Sequence, residues 1–196
     1  MNKKDKILTL FKQKNGLLTL QDLAEQGINK YHLQKLVKTG EVERLKPGLF
    51  KLINYQSNEY YEIKKIVPNG IICLFSAWAY YELTSYMPHE FHVAIERKSK
   101  VKLPGYPPIK LYYWDKKIFQ SGIETIEHDA YSFQIYNIEK SVCDAVKFRN
   151  KIGKDTLNEI LTEYLKRKNK NLDLLIKYSK ILRVERILKN YLEVLL

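Results

Sequence analysis

The stretch 15–52 constrains the fold of this chain more than any other, because short helical segments, glycine breaks and an alternating segment follow one another within it. Thr19, followed three residues later by Asp22, forms an acidic variant of the capping box that begins many helices. The apolar residues that follow at helical spacing are Leu20, Leu23 and Ala24. Gly27 predicts the end of this first helix, since glycine is common just beyond a helix C-terminus.

A second helix is predicted between Asn29, a typical N-cap, and Gly40, which can adopt the left-handed conformation that ends a helix. Its apolar residues fall on one stripe at the helical period, and they are Leu33, Leu36 and Val37. The opposite face, which turns outward, consists of Tyr31, Gln34, Lys35 and Lys38, with Lys30 and His32 at its flanks. Such side chains can donate hydrogen bonds to phosphates and bases.

After Gly40 the pattern changes from helical to alternating, with Val42 and Arg44 before the turn 46–48 and the segment 49–52 after it. The turn sequence Lys-Pro-Gly, which begins at Lys46, predicts a β-hairpin with a basic tip. Helix, tight turn, helix and hairpin in this order are typical of a winged helix-turn-helix domain, whose second helix enters the major groove of DNA. We therefore expect double-stranded DNA as a partner.

The charge of the chain agrees with a polyanionic partner. The formal net charge is +12 over 196 residues, and the isoelectric point is about 9.5. The first 56 residues contain 11 Lys and Arg against 5 Asp and Glu, so the charge density is highest in the N-terminal part. This distribution favours DNA contact by the predicted winged domain.

The sequence also indicates a compartment. Cys73 and Cys143 lie in apolar helical patterns, which favours a reducing cytoplasm over a disulfide framework. The N-terminal residues have the pattern of an amphipathic helix and not of a signal peptide. No run approaches the roughly 20 apolar residues of a membrane span. We expect a cytoplasmic protein with no membrane segment.

A second domain is predicted to follow a polar linker at 54–59 and a short helix at 59–66. The segment 71–84 is apolar nearly all round, which predicts a buried core helix. Alternating patterns predict strands at 91–96, 109–114 and 133–136. Helical patterns, with Asp155 as a predicted cap, follow at 141–150, 156–168, 172–180 and 183–196.

These elements predict an α+β fold. It comprises a winged helix-turn-helix domain at 1–54 and a mixed α/β domain at 59–196, with a small sheet and a helical C-terminal part.

Two blocks together resemble the antitoxins of type IV, abortive-infection toxin-antitoxin systems, of the AbiEi type. The first is INKYHLQKLVKTGEVERLKPGLFKL. The second is EKSVCDAVKFRNKIGKDTLNEILTEYL with the following LRVERILKNYLEVLL. Many regulators share the wing block, so the specificity of the resemblance comes from finding it ahead of CLFSAWAYYELT and the second block.

The resemblance implies an N-terminal domain that represses its own operon and a C-terminal domain that neutralises a nucleotidyltransferase-like toxin. It implies neither catalysis nor a cofactor. Carried over to this sequence, the DNA-binding positions are Lys30, Tyr31, Gln34, Lys35, Lys38, Arg44 and Lys46. Wings of the family carry several arginines, whereas this one has Arg44 and lysines, so bidentate recognition would depend on Arg44 alone.

Three alternatives stay open at this point. The second domain of a winged-helix regulator can instead bind a small ligand or serve for dimerisation. Glu90 with the run 96–98, Glu-Arg-Lys, weakly resembles the metal-binding and lysine residues of restriction-type nucleases. A metal site could be assembled from His89, His92, Cys73 and Cys143, although a spacing of three places the two histidines on opposite faces of a strand.

Two smaller expectations concern the second domain. Asp144 lies on a predicted helix together with Ser141 and Cys143, and it is expected to cap the helix or pair with Lys147 and not to catalyse. Aromatic residues that could belong to a protein-contact surface are Tyr80, Tyr81, Tyr112, Tyr113 and Trp114. Core packing is the simpler role for most of them.

Overall fold

In the computed structural model, which describes residues 2–128 and 131–195, the N-terminal half of the fold begins with helices packed on a small antiparallel sheet. The helices are α1 (Lys3–Gln13), α2 (Leu20–Glu25), α3 (Lys30–Lys38) and α4 (Glu59–Ile66). The strands are β1 (Leu17–Thr19), β2 (Val42–Lys46) and β3 (Leu49–Leu52), and their order in the sheet is β1-β3-β2. The predicted helix-turn-helix and hairpin are confirmed, and β1 was missed because three residues carry no periodicity.

The capping box predicted before α2 is formed. The Thr19 hydroxyl accepts a hydrogen bond from the Asp22 backbone N–H at 3.1 Å, and the Asp22 carboxylate accepts one from the Thr19 backbone N–H at 2.7 Å. Lys14 adds an ion pair to the same carboxylate at 3.2 Å. Burial alone would raise the pKa of Asp22, but the hydrogen bonds from Thr19 and Lys14 outweigh it and lower that pKa.

Thr19→Ala is expected to lower the free energy of unfolding by about 1 kcal/mol, because an orphan N–H of α2 loses its acceptor. Because the pKa of Asp22 is lower in the folded state than its ordinary value near 4, the ionised carboxylate stabilises the fold at pH values above about 4. This stabilisation is lost as the pH falls through the folded pKa. Urea denaturation at pH 7 and pH 3 measures both effects. A variant whose deficit is the same at the two pH values would show that the capping box is not coupled to Asp22 ionisation.

The core of this first part is formed by one face of each helix. Ile7, Phe11, Leu23 and Leu33 are almost completely buried. On α2 the buried residue is Leu23, whereas Leu20 is 42% exposed and Ala24 is also exposed. The helix has only six residues, so a single apolar residue per turn meets the core.

The second part is a five-stranded mixed sheet covered by helices. Its strands are β4 (Ile71–Ile72), β5 (Phe91–Glu96), β6 (Ile109–Trp114), β7 (Ile123–His128) and β8 (Tyr131–Tyr136), in the order β6-β5-β4-β8-β7. Its helices are α5 (Leu74–Tyr80), α6 (Lys116–Phe119), α7 (Ile138–Ile152), α8 (Lys154–Lys166), α9 (Leu172–Leu182) and α10 (Glu185–Leu195). The α+β fold class with an N-terminal helix-turn-helix is confirmed.

The predicted core helix at 71–84 is partly wrong. Ile71 and Ile72 form β4, which is hydrogen-bonded between β5 and β8, and α5 takes only the middle of the segment. A short apolar run of β-branched residues fits a fully buried strand as well as a helix, so periodicity alone could not separate the two. Asp155 is not the cap of α8 either, since Gly153 holds the N-cap position with φ +84°.

Helix α7 lies at the centre of the second core. Trp78 of α5 is fully buried and donates its indole N–H to the Ser141 carbonyl at 2.9 Å. Cys73 and Cys143 are buried free thiols, and burial raises the pKa of both. None of the described helices is long and apolar enough to cross a membrane.

The chain divides into two compact units. The first contains Met1–Asn69, Val101–Pro107 and Glu127–Phe133, and the second contains Gly70–Lys100, Pro108–Ile126 and Gln134–Leu196. Helix α4 therefore belongs to the unit that holds the winged module. The functional domain boundaries at 54 and 59 stay a prediction.

Candidate nucleic-acid interface

The outward face of α3 is the basic surface that the sequence predicts. Asn29 caps the helix by accepting a hydrogen bond from the Tyr31 backbone N–H at 2.9 Å, and Gly40 follows the helix with φ +72°. Leu33 and Leu36 are buried below α3, which fixes its rotation about its own axis. The exposed side chains on the other side are Lys30, Tyr31, Gln34, Lys35 and Lys38.

Tyr31 and Lys35 act as a pair on this face. The Lys35 ammonium lies 4.9 Å from the centroid of the Tyr31 ring, and the ring is itself in edge contact with His32. Tyr31 is 55% exposed, so the pair is open to solvent. An aromatic hydroxyl beside an ammonium offers donors for base edges and for phosphate oxygens.

The hairpin formed by β2 and β3 presents Arg44 to solvent. Val42 and Leu45 are buried, whereas Arg44 is exposed, and the register of the hairpin shifts between Arg44 and Lys46. Within residues 2–128 and 131–195, Arg44 makes no ion pair. Its guanidinium is therefore available to a phosphate or a guanine, the groups that arginine recognises with two parallel hydrogen bonds.

Lys46 has a different environment from Arg44. Its ammonium donates a hydrogen bond to the Ile66 carbonyl, the last residue of α4, at 2.7 Å. Burial lowers the pKa of Lys46, because the ammonium loses part of its hydration there. The residue was predicted to bind DNA, and the structure shows it bonded within its own unit.

A second lysine of the hairpin also contacts α4. Lys51 makes an ion pair with Glu62 at 2.8 Å, and Ser57 donates to the same carboxylate at 3.3 Å. Glu62 is only 4% exposed, so this ion pair is largely removed from water. Sequence analysis missed it because the two residues are 11 positions apart on different elements. The hairpin is thus anchored on α4 through both of these lysines.

The nuclease alternative is not supported by the geometry. Glu90 precedes β5 and Glu96 is its last residue, so at the rise of a strand their Cα atoms are roughly 20 Å apart. Arg97 pairs with Asp115 at 2.9 Å, and Glu90 pairs with Lys110 at 3.1 Å. Two carboxylates this far apart cannot hold one metal ion between them.

The metal-site alternative is also not assembled. Among residues 2–128 and 131–195, no group of three His, Cys, Asp or Glu side chains could hold a metal ion. Cys73 is buried in the core, and the His92 ring is hydrogen-bonded through Nδ1 to the Tyr112 hydroxyl at 2.9 Å. These residues serve packing and hydrogen bonding in the second unit.

Most of the aromatic residues considered for a contact surface are only partly exposed. Tyr113 is the exposed one, at 51%. Tyr81 donates to Glu124 at 2.9 Å, and Trp114 packs against Tyr136 with a centroid distance of 5.0 Å. Core and edge packing therefore explain the positions of these two rings.

Comparison with known families agrees with the winged module. Residues 5–52 match the family model described as "Transcriptional regulator, AbiEi antitoxin". The match covers about a quarter of the chain, from α1 to the end of β3, and it contains every residue of the exposed face of α3 and of the hairpin. No curated protein matches the chain significantly.

The family match confirms the resemblance of the N-terminal module to AbiEi-type antitoxins. It also supports a role as a transcriptional regulator of antitoxin type. The second unit lies outside the matched residues.

Proposed function

We propose that the chain represses its own operon through the winged module and neutralises a nucleotidyltransferase-like toxin through the second unit. The observation that carries the first half is that the basic face of α3 and Arg44 are both exposed, within a segment that matches AbiEi antitoxin regulators. A basic helix and hairpin on one small module are the arrangement with which winged helices bind duplex DNA.

In the proposed complex, α3 lies in the major groove. Tyr31, Gln34 and Lys35 face the base edges and phosphates, while Lys30 and Lys38 contact the backbone at the two ends of the helix. Arg44 reaches the flanking phosphate or minor groove. Binding of this kind releases counterions and becomes weaker as salt increases.

The second half of the proposal comes from the antitoxin description of the matching family. Repression and neutralisation both proceed by binding, with no turnover and no cofactor. The alternative is a winged-helix regulator whose second unit binds a small ligand or dimerises. A cavity of about 430 Å³ in the second unit is the observation that favours a ligand-binding unit.

Gel-shift titration with the chain's own promoter tests the first half. We expect salt-sensitive binding that prefers the promoter over a shuffled duplex of equal length, and weaker binding by Lys35→Ala. Lys166→Ala is the matched control, because Lys166 is an exposed helical lysine of the second unit that pairs with Glu163. Equal affinity for the promoter and the shuffled duplex would refute sequence-specific repression.

Growth rescue tests the second half independently. The adjacent gene is expressed with the full chain or with the double variant Lys35→Ala/Arg44→Ala, both from an unrelated promoter. We expect equal rescue, because neutralisation is assigned to the second unit and not to the DNA-binding face. Absence of rescue by the unmodified chain, or a neighbour that is not a nucleotidyltransferase, would overturn the antitoxin half while leaving repression in place.

A further inference from the structure

The second unit contains a cavity of about 430 Å³ beside α5 and the first residues of β5 and β6. This volume is in the usual range of small-molecule sites. The residues that give it its chemical character are Phe75, Tyr86, Glu90, His92 and Lys110. All of its lining residues belong to the second unit, and neither the proposed repression nor the proposed neutralisation makes use of it.

The walls of the cavity are aromatic. Phe75 meets the Tyr86 ring at a centroid distance of 5.1 Å and the His92 ring at 5.3 Å, both edge to face. Tyr86 is 49% exposed, which leaves much of its ring uncovered. An exposed aromatic face of this kind can stack on a planar ligand.

His92 is held rigidly at the base of the cavity. Its backbone N–H donates to the Ser76 hydroxyl at 2.8 Å, and its Nδ1 is 2.9 Å from the Tyr112 hydroxyl. Burial lowers the pKa of His92 to about 4, so the ring is neutral at pH 7, and burial raises the pKa of Tyr112, so its hydroxyl keeps its proton. Because Tyr112 donates to Nδ1, the ring proton of His92 is on Nε2. This nitrogen lies 3.9 Å from a carboxylate oxygen of Glu90.

The polar groups at the cavity are a donor and an acceptor side by side. The Lys110 ammonium lies 3.1 Å from the Glu90 carboxylate, and the two side chains are 54% and 39% exposed. The charges of Lys110 and Glu90 cancel, and His92 adds none, so these three side chains together provide no net positive charge for an anion such as free phosphate. A suitable ligand instead carries an acceptor next to a donor on one edge.

We propose that this cavity binds a neutral, planar nitrogen heterocycle of the nucleobase class, with guanine as the base whose edge fits best. The O6 acceptor of guanine would face the Lys110 ammonium, and its N1–H and amino donors would face the Glu90 carboxylate. The ring would lie against Tyr86 and Phe75. Hydrogen bonds to the Watson–Crick edge, combined with stacking on an aromatic side chain, are a general way to hold an unpaired base.

Isothermal titration calorimetry of the full chain with guanosine tests the proposal, with adenosine and uridine as comparison ligands. We expect saturable binding of guanosine that is at least tenfold tighter than that of the other two. Tyr86→Ala and Glu90→Gln are each expected to weaken it at least tenfold. The matched controls are Tyr113→Ala, an exposed tyrosine on β6, and Glu163→Gln, a glutamate on α8 whose side chain is 40% exposed, close to the 39% of Glu90. Both should bind as the unmodified chain does.

Several outcomes would overturn the proposal. They are no binding at the solubility limit of guanosine, equal affinity for the three nucleosides, and unchanged binding in both cavity variants. A fourth is that the chain binds a short single-stranded oligonucleotide containing one guanine but does not bind guanosine. That result would assign the surface to nucleic acid. Melting temperatures within a few degrees of the unmodified chain establish that Tyr86→Ala and Glu90→Gln remain folded. Promoter binding is measured in parallel, so failure of the cavity proposal is distinguishable from failure of repression.

Discussion

Lys140→Met is expected to lower the free energy of unfolding of the second unit by about 3–5 kcal/mol, because it leaves a buried carboxylate without its counterion. The Lys140 side chain is completely buried and that of Asp144 is 1% exposed. The ammonium donates to both carboxylate oxygens at 2.8 Å. It also lies 4.1 Å from the Trp114 ring centroid and 4.0 Å from that of Tyr136, so one cation satisfies three groups.

The pH dependence of this deficit separates a charge effect from a packing effect. Burial raises the pKa of Asp144, and Lys140 offsets only part of that increase. Without the ammonium the folded pKa rises further. Because the folded carboxyl then binds a proton more readily than the unfolded one, the stability of the variant increases as the pH falls toward the unfolded pKa of about 4. We expect the deficit of Lys140→Met to be clearly smaller at pH 5 than at pH 8.

Urea denaturation of three variants measures the prediction. The double variant Lys140→Met/Asp144→Asn removes both charges, and it is expected to be more stable than Lys140→Met at pH 8 and to depend less on pH. Lys151→Met is the matched control, since Lys151 is an exposed lysine near the end of the same helix. A deficit of Lys140→Met that stays the same between pH 5 and pH 8 would show that lost packing, and not the unpaired carboxylate, causes it.

Local sequence signals were sufficient to predict the helix-turn-helix and the hairpin of the winged module. Asn29 and Gly40 mark the ends of α3, and the stripe containing Leu33 and Leu36 sets the helix rotation. These signals depend on neighbours within a few positions, so they could be read directly. The same holds for α4, whose bounds at 59 and 66 were predicted from the polar stretch before it and from the following Pro-Asn-Gly.

Long-range pairing accounts for what the sequence did not reveal. The β4 strand is defined by its neighbours β5 and β8, which are distant in the chain, and its two isoleucines look equally like part of a helix. Asp144 was expected to pair with Lys147, but it pairs with Lys140, one turn earlier on the same helix. Both lysines are within helical reach, and only the burial of Lys140 beside Trp114 and Tyr136 decides between them.

In the candidate DNA interface, too, local sequence signals predict exposure but not long-range contacts. Spacing and charge predict the exposed face of α3, and the structure places all five of its predicted residues in solvent. They also predict that Arg44 and Lys46 both contact DNA, with Arg44 alone giving bidentate recognition. The bond from Lys46 to the Ile66 carbonyl makes the two residues different, and it depends on α4, which lies beyond the hairpin in sequence.

If the chain binds its own promoter as proposed, Arg44→Ala is expected to weaken promoter binding by about tenfold to a hundredfold, because a bidentate contact is lost. It should also reduce the slope of log affinity against log salt by about 1, because one phosphate contact is lost. Lys46→Met is expected to weaken binding less and to leave the slope unchanged. The Lys46 ammonium is already bonded to α4, so its removal changes the placement of the hairpin and not the number of phosphate contacts.

Gel-shift titrations at four or more salt concentrations measure both slopes, and Arg44→Lys is the informative third variant. It keeps the charge but loses the planar fork of the guanidinium, so we expect an unchanged slope with reduced preference for the promoter over a shuffled duplex. Glu62→Gln should resemble Lys46→Met, because it weakens the other bond between the hairpin and α4, the ion pair with Lys51 at 2.8 Å. If Lys46→Met lowered the slope as much as Arg44→Ala, Lys46 would leave the Ile66 carbonyl to contact DNA, and anchoring on α4 would not be its role in the complex.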